Sequence, residues 1–370
     1  MKILVFLILL LTWGDTKKAQ TISPQQWISE YLDYFYRRGF LENVFYSVQP
    51  FSYQTVRKMI NTLEQSKLNE DEQKMLQQLK KFVGSSQDSL TWWYGGKITG
   101  TGQMVKNKSS FNFSFNPRLG VSWKEHMFFY STFVIQNQRE DYIGKVYAGL
   151  NAFNEQSGIL FQTKNLTFKL GRDYLKLGPG YWGQLLFSSA GYPFDQYWIN
   201  FSHKNIAFSC WGIQLDERDI PDSLLEESSP FKKYKRYLNG HRLSVKIKKK
   251  IEIGLNEVVL YGGAGENWEL ALVNPLMFYH GFTLNNILTG SNTFFSSDFS
   301  WQLKHNWRIW SEVLVDDYQI EKKRKRDLEP NEIGFTVGTS WAFNTLDLIT
   351  EFTQIRNRTY NVQVNDWERY

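Results

Sequence analysis

Glu312, Asp316 and Asp317 place three carboxylates on one short stretch, Glu312-Val313-Leu314-Val315-Asp316-Asp317. Paired carboxylates are what general acid–base cleavage of a glycoside requires. Bracing a loop or lining a lumen is the simpler use for them, since no other part of an active site accompanies them. Arg172-Asp173 forms a second bracing candidate, an ion pair placed to hold the link that follows it. Ser188-Ser189 lacks the glycines of a nucleophile elbow, and Gly178-Pro179-Gly180 lacks the Lys-Ser/Thr of a phosphate loop. The single cysteine, Cys210, and five scattered histidines give no zinc or thiol-nucleophile spacing. We therefore expect no enzyme, no metal and no cofactor.

Sugar recognition is the other chemistry within reach. It needs flat apolar rings for sugar faces and polar groups for hydroxyls. Tyr181, Trp182, Tyr192, Tyr197, Trp198, Trp268 and Tyr279 lie in or beside long links and are the polysaccharide-binding candidates. A girdle at a membrane interface is the competing use of such rings. Lys232, Lys233, Lys235 and Arg236 form one basic run; Lys322, Lys323, Arg324, Lys325 and Arg326 form another. Lys322, Arg324 and Arg326 join the candidates, because an acidic glycan or a lipid phosphate is drawn to such a run.

These residues need elements to hold them. From Phe111 to Trp123 the chain alternates: Phe111, Phe113, Phe115, Leu119, Val121 and Trp123 against Asn112, Ser114, Asn116, Arg118 and Ser122. A strand turns successive side chains to opposite faces, so this is one strand with an apolar side and a wet side. It is long enough to cross a bilayer as a tilted strand, which takes about 9–11 residues. Strands are predicted at 92–104, 110–123, 127–138, 158–163, 165–171, 196–203, 205–214, 236–248, 250–261, 291–303, 306–315, 333–344 and 346–355. The 250–261 strand is poorer, because Glu257 falls on its apolar side. Very short turns at 124–126, 164, 204, 249, 304–305 and 344–345 alternate with longer links at 105–109, 139–157, 172–195, 215–235, 262–290 and 316–332. Short periplasmic turns and long external loops are the mark of an outer-membrane barrel. A secreted sandwich or propeller need not sort its links this way.

Ile3–Trp13 is apolar behind Lys2 and reads as a signal peptide, too short for a helical span, with cleavage near Ala19 or Gln20. Residues 24–84 have helical period. Ser23-Pro24 opens a first helix, Ser52 caps a second, and Asn69 with Glu72 starts a third. The expected domains are a signal peptide at 1–20, a small periplasmic helical bundle at 21–88, and an antiparallel transmembrane β-barrel at 89–370. The net charge of +6 suits anionic lipid or acidic glycan, and export argues against nucleic acid. The 172–195 link is too apolar for a solvated tip, so it folds inward or packs on the rim, and 262–290 has the same character.

Gly171-Arg172, Leu177-Gly178-Pro179-Gly180 with Leu185-Leu186-Phe187-Ser188, then Asn274-Pro275, then Glu312 with Asp316-Asp317, follow one another in order. This order resembles the Wzi-type capsule assembly family of outer-membrane proteins, over about residues 24–365. Gly39-Phe40-Leu41 and Gln49-Pro50-Phe51 resemble the family's helical beginning. The usual Trp before Gly-Pro-Gly is Leu177 here. The resemblance implies a non-catalytic scaffold, inserted by the barrel assembly machinery among outer-membrane lipid, that retains or organises capsular or extracellular polysaccharide as a monomer. A porin-like channel or exporter is the alternative. The family barrel has roughly eighteen strands, within the even-numbered range of bacterial barrels. Only a weak further strand, 360–370, adds to those above, which leaves open a chain lacking its last strands or a closed barrel of fewer strands.

Overall fold

The computed structural model describes residues 6–13, 21–23, 26–83, 90–105, 108–124, 126–137, 146–188, 191–221, 230–284, 291–317, 331–343, 346–357 and 359–360. The strands are β1 Phe6–Trp13, β2 Thr21–Ile22, β3 Val48–Gln49, β4 Phe51–Ser52, β5 Leu90–Val105, β6 Lys108–Trp123, β7 Met127–Gln136, β8 Asn151–Gln162 and β9 Leu166–Asp173. They continue as β10 Lys176–Leu177, β11 Phe194–His203, β12 Ile206–Asp219, β13 Lys233–Ile247, β14 Ile251–Ala264, β15 Ser291–Lys304, β16 Trp307–Asp317, β17 Glu332–Ala342 and β18 Asp347–Ile355. The helices are α1 Trp27–Arg37, α2 Tyr53–Glu64, α3 Glu70–Val83 and α4 Tyr279–Leu284. The long strands are hydrogen-bonded to their neighbours in chain order, from β1 and β5 through β9 and β11 to β18.

Two compact units result. One holds residues 1–22, 51–163 and 169–173; the other holds 23–50, 164–168 and 174–370. In the first, Trp93, Phe128, Tyr130 and Leu160 cluster on the inner face of β5–β8. Asp173 is fully buried, and its carboxylate takes bonds from Lys169 (2.9 Å), Gln156 (2.7 Å) and Thr21. The caps of α2 and α3 follow from sequence. The Ser52 hydroxyl accepts the Thr55 N–H at 3.2 Å. Asn69 and Glu72 exchange side-chain-to-backbone bonds of 2.9 Å, a capping box.

In the second unit α1 lies at the short-turn ends of β15–β18. Arg37 and Arg38 bond Asp347 at 2.7 and 2.6 Å, and the Gln302 amide reaches the Arg37 carbonyl at 3.2 Å. Tyr36 stacks on Tyr46 (3.7 Å between centroids) with the Arg308 guanidinium 3.5 Å over its ring, and burial pushes its hydroxyl up to about 12. The three helices are thus shared between the units, α1 in the second and α2 and α3 in the first. Its N-cap is Gln26, without a side-chain cap bond, and Pro24 lies outside the described residues.

The faces are inverted relative to a water-soluble protein. Along β15, Phe295 and Trp301 face out and are more than a third exposed, while Ser296, Asp298, Ser300 and Gln302 are buried inward. On β6, Phe111, Leu119 and Trp123 are exposed and Ser122 is buried. An apolar outside over a polar inside is what a bilayer demands of a strand. Two links depart from expectation. Val105 pairs with Lys108, so the 105–109 connection is short. β8 starts at Asn151, so residues 151–157 of the 139–157 link belong to that strand. Phe6–Trp13 lies antiparallel to β5, with Phe6 opposite Gln103. The 360–370 strand lies outside the described residues except for Tyr360, which is in a turn.

One cross-strand pair recurs. Trp93 faces Gly120, Trp211 faces Gly240 and Trp310 faces Gly338, each indole lying over the glycine on the inner face. A Cβ at Gly240 would stand 2.3 Å from the Trp211 ring. Gly240→Val should cost about 1–3 kcal/mol by overpacking. The outward Phe343→Leu should stay within about 0.5 kcal/mol. Denaturant unfolding in vesicles, read by tryptophan fluorescence, checks both.

Candidate functional site

The segment 174–188 folds onto the inner face of the second unit. β10 pairs with β3 (Lys176 opposite Gln49), the Gly178 N–H donates to the Ser47 carbonyl at 2.9 Å, and the Leu177 N–H donates to Phe187 at 3.1 Å. Leu175, Leu177, Leu185, Leu186 and Phe187 are buried against Trp211, Ile213, Leu238, Val258, Leu260, Phe294 and Leu314. Each such side chain contributes about 1.5–3 kcal/mol on full burial. Apolar residues at inward positions of β12–β14 therefore have a definite partner in this segment.

An irregular segment carries backbone donors that no strand satisfies, and inward carboxylates take them up. Glu351 on β18 accepts three successive N–H groups, Tyr181 (2.7 Å), Trp182 (3.2 Å) and Gly183 (2.9 Å), and also the Trp310 indole (2.9 Å). Glu312 accepts the Leu185 N–H at 3.1 Å, and Asp316 accepts Tyr360 N–H at 2.6 Å. The Tyr360 hydroxyl in turn donates to the Leu185 carbonyl at 2.6 Å. Gly178, at φ +114°, passes so close to Glu312 that a Cβ would lie 2.8 Å from its carboxylate. Glu252 holds the Tyr46 and Ser47 amides of the α1 unit, each at 3.1 Å. Arg242 and Asp298 form a buried ion pair, supported by Asn256 at 3.1 Å and Ser244 at 2.8 Å. Burial draws the Lys176 ammonium below its ordinary value, opposed by Asp33, Glu351 and Glu312.

The candidate rings do not form one surface. Tyr181 lies inside, half-buried beside Arg37 at 5.3 Å, with Trp182 edge-on to it and exposed. Tyr192 is exposed in its link. Trp198 faces inward beside the apolar cluster. Tyr197, Trp268 and Tyr279 lie on the opposite, outward face. Arg172 is half-buried next to Asp173, whose bonds run to Lys169, Gln156 and Thr21. Asp317 pairs in the strand with Glu332. Lys322, Arg324 and Arg326 lie outside the described residues. Of the first basic run, Lys233 stands 3.9 Å from Glu217 and Lys235 bonds Asn267 at 3.3 Å, while Arg236 is buried. Glu351, Glu252 and the Arg242–Asp298 pair were not singled out from sequence. A charge at an inward position in mid-strand was the available signal.

The 262–290 link, expected like 172–195 to fold inward or pack on the rim, does not take the inward course. Its described part packs on the outward face: Leu272 and Tyr279 bury Tyr237, Val259 and Tyr261, with Trp268, Met277 and Phe282 around them. Val258 and Leu260 of the same strand face the inner cluster, so alternation puts this cover on the other side. It also explains Glu257, which faces outward beneath the cover, accepts the His280 N–H at 2.8 Å and pairs with His241 at 3.1 Å.

Removing the Glu351 carboxylate leaves three loop amides without their acceptor, at about 1.5–3 kcal/mol for each charge-assisted bond lost. Glu351→Ala should release the inner segment and raise single-channel conductance in planar bilayers above that of the parent chain. Identical conductance for the two would show that the carboxylate does not hold the segment.

Three comparisons bear on this fold. Among solved structures, the chain is similar to Wzi of Escherichia coli, described as an outer-membrane carbohydrate-binding β-barrel involved in group 1 capsule assembly. The TM-score is 0.60 at 14% identity, over 94% of this chain and 74% of that one. OmpT of Vibrio cholerae aligns at a TM-score of 0.34 and 9% identity, over 75% of this chain and 94% of that one. A search of curated proteins finds no match. The model of the family "Capsule assembly protein Wzi" matches residues 99–369. With this match and an inverted antiparallel sheet of barrel type, the chain is an outer-membrane protein that belongs to the Wzi capsule assembly family.

Proposed function

We propose that this protein is a non-catalytic scaffold that retains or organises capsular polysaccharide at the cell surface. The observation that carries the reading is the filled inner face of the second unit. Apolar side chains of 174–188 occupy it and inward carboxylates fix their backbone. Such an interior suits a rigid holder, whereas a conduit needs a water path. Family membership supports the same reading, as does the carbohydrate binding described for the Escherichia coli neighbour.

Glu312 is engaged by the Leu185 amide and Asp316 by the Tyr360 amide, which favours bracing over acid–base work. Exposed Lys232 and Lys233, at the long-link end of β13, provide cations for an acidic glycan, and exposed Tyr192 provides a ring. In this reading the chain is exported on the Ile3–Trp13 signal, inserted by the barrel assembly machinery, and acts as a monomer.

Deletion of the gene tests the reading. Polysaccharide should shift from the cell-associated to the shed fraction with total synthesis maintained. Unchanged fractions would reject the scaffold role.

A further inference from the structure

The cover on the outward face does not close completely. Between it and the sheet lies an open cavity of about 430 Å³. Phe208, Leu243, Leu255 and Phe295 line it from four adjacent strands, and Pro275–Phe278 line it from the link. Phe208, Leu243, Leu255 and Phe295 occupy outward positions of β12–β15, so the cavity opens within the apolar band that faces lipid. On its polar wall the His241 Nε2 and the Glu257 carboxylate bond each other and Glu257 also holds the His280 amide, while the His241 Nδ1 is left without a hydrogen-bond partner among the described residues.

The link itself is built for hydrocarbon. The Ala271 and Leu272 N–H groups bond Glu269, the Leu276 and Met277 N–H groups bond Asn274, and the Phe282 N–H bonds the Phe278 carbonyl. Irregular backbone in a bilayer needs this internal satisfaction. Leu270, Leu276 and Phe278 then present exposed apolar side chains, continuous with the exposed Leu243, Leu255 and Phe295.

We propose that this outward cavity seats one acyl chain of a membrane lipid, clasped between β12–β15 and Pro275–Phe278. The occupant follows from continuity: the cavity is an indentation in the lipid-facing band, apolar on its strand and link walls, with the Glu257 carboxylate already held by His241 and the His280 amide. A bound acyl chain replaces the contacts that the cover leaves unmade, and it couples the position of the link to the surrounding lipid.

The test uses the full chain in vesicles of phosphatidylethanolamine and phosphatidylglycerol. A trace of phosphatidylcholine carries a diazirine midway along one acyl chain, and cross-linked peptides are mapped by mass spectrometry. Peptides holding Leu255 and Met277 should be labelled several-fold more than those holding Val337 and Phe352, which are 49% and 57% exposed on the same outward face. Leu255→Trp and Met277→Trp fill the cavity and should each bring labelling down to the Val337 level, with the heat-modifiable folded band retained. Met277 lies in the link, so that variant decides the matter if Leu255→Trp does not fold. Uniform labelling of all outward strands would overturn the proposal. So would undiminished labelling in the folded Trp variants.

Discussion

A backbone N–H held away from water must find an acceptor, and in a membrane-spanning sheet the strands satisfy only their own. Any segment that leaves the ladder and lies against the sheet needs acceptors from somewhere else. Here they come from single carboxylates at strand positions. Glu351 takes the three amides Tyr181–Gly183, Glu312 takes Leu185, and Glu252 takes Tyr46 and Ser47. On the outward face Glu257 does the same for His280. The apolar packing of Leu185–Phe187 and the seating of α1 both depend on these bonds. Without them the segments would bury donors with no partner.

This arrangement accounts for the charges that break the strand pattern. An inward polar face tolerates carboxylates, but a carboxylate in a water-poor interior needs donors, and a run of irregular amides supplies several at once. The Arg242–Asp298 pair, held also by Asn256 and Ser244, meets the same need with a cation. Glu312 and Asp316, acid–base candidates by type, are therefore occupied in holding the chain's own backbone. That occupation links the sheet to the scaffold reading: the inner face of the second unit is filled by the chain's own 174–188 segment.

The strands were legible because period-two alternation is a local property. The predicted spans from 92–104 to 346–355 each correspond to a strand from β5 to β18, and the Asn69–Glu72 capping box was legible for the same reason. The course of a link is not local. The 172–195 and 262–290 links have similar composition, yet one packs inward and the other outward. The difference lies in the partner each link meets, Glu312 and Glu351 for the first and Glu257 for the second. The aromatic candidates scattered for the same reason: a ring's type says nothing about which face of the sheet its link will meet. Glu257 was visible as an anomaly on an apolar face, but its explanation needed His241 and His280 brought beside it.

Amide hydrogen exchange of the folded protein, resolved by peptide, tests the central claim most directly. If inward carboxylates hold the 174–188 backbone, its amides should exchange as slowly as those of β14, and Glu312→Gln combined with Glu351→Gln should speed exchange in 181–185 while leaving β14 protected. Rapid exchange of 181–185 in the parent chain, or protection unchanged in the double variant, would contradict the account.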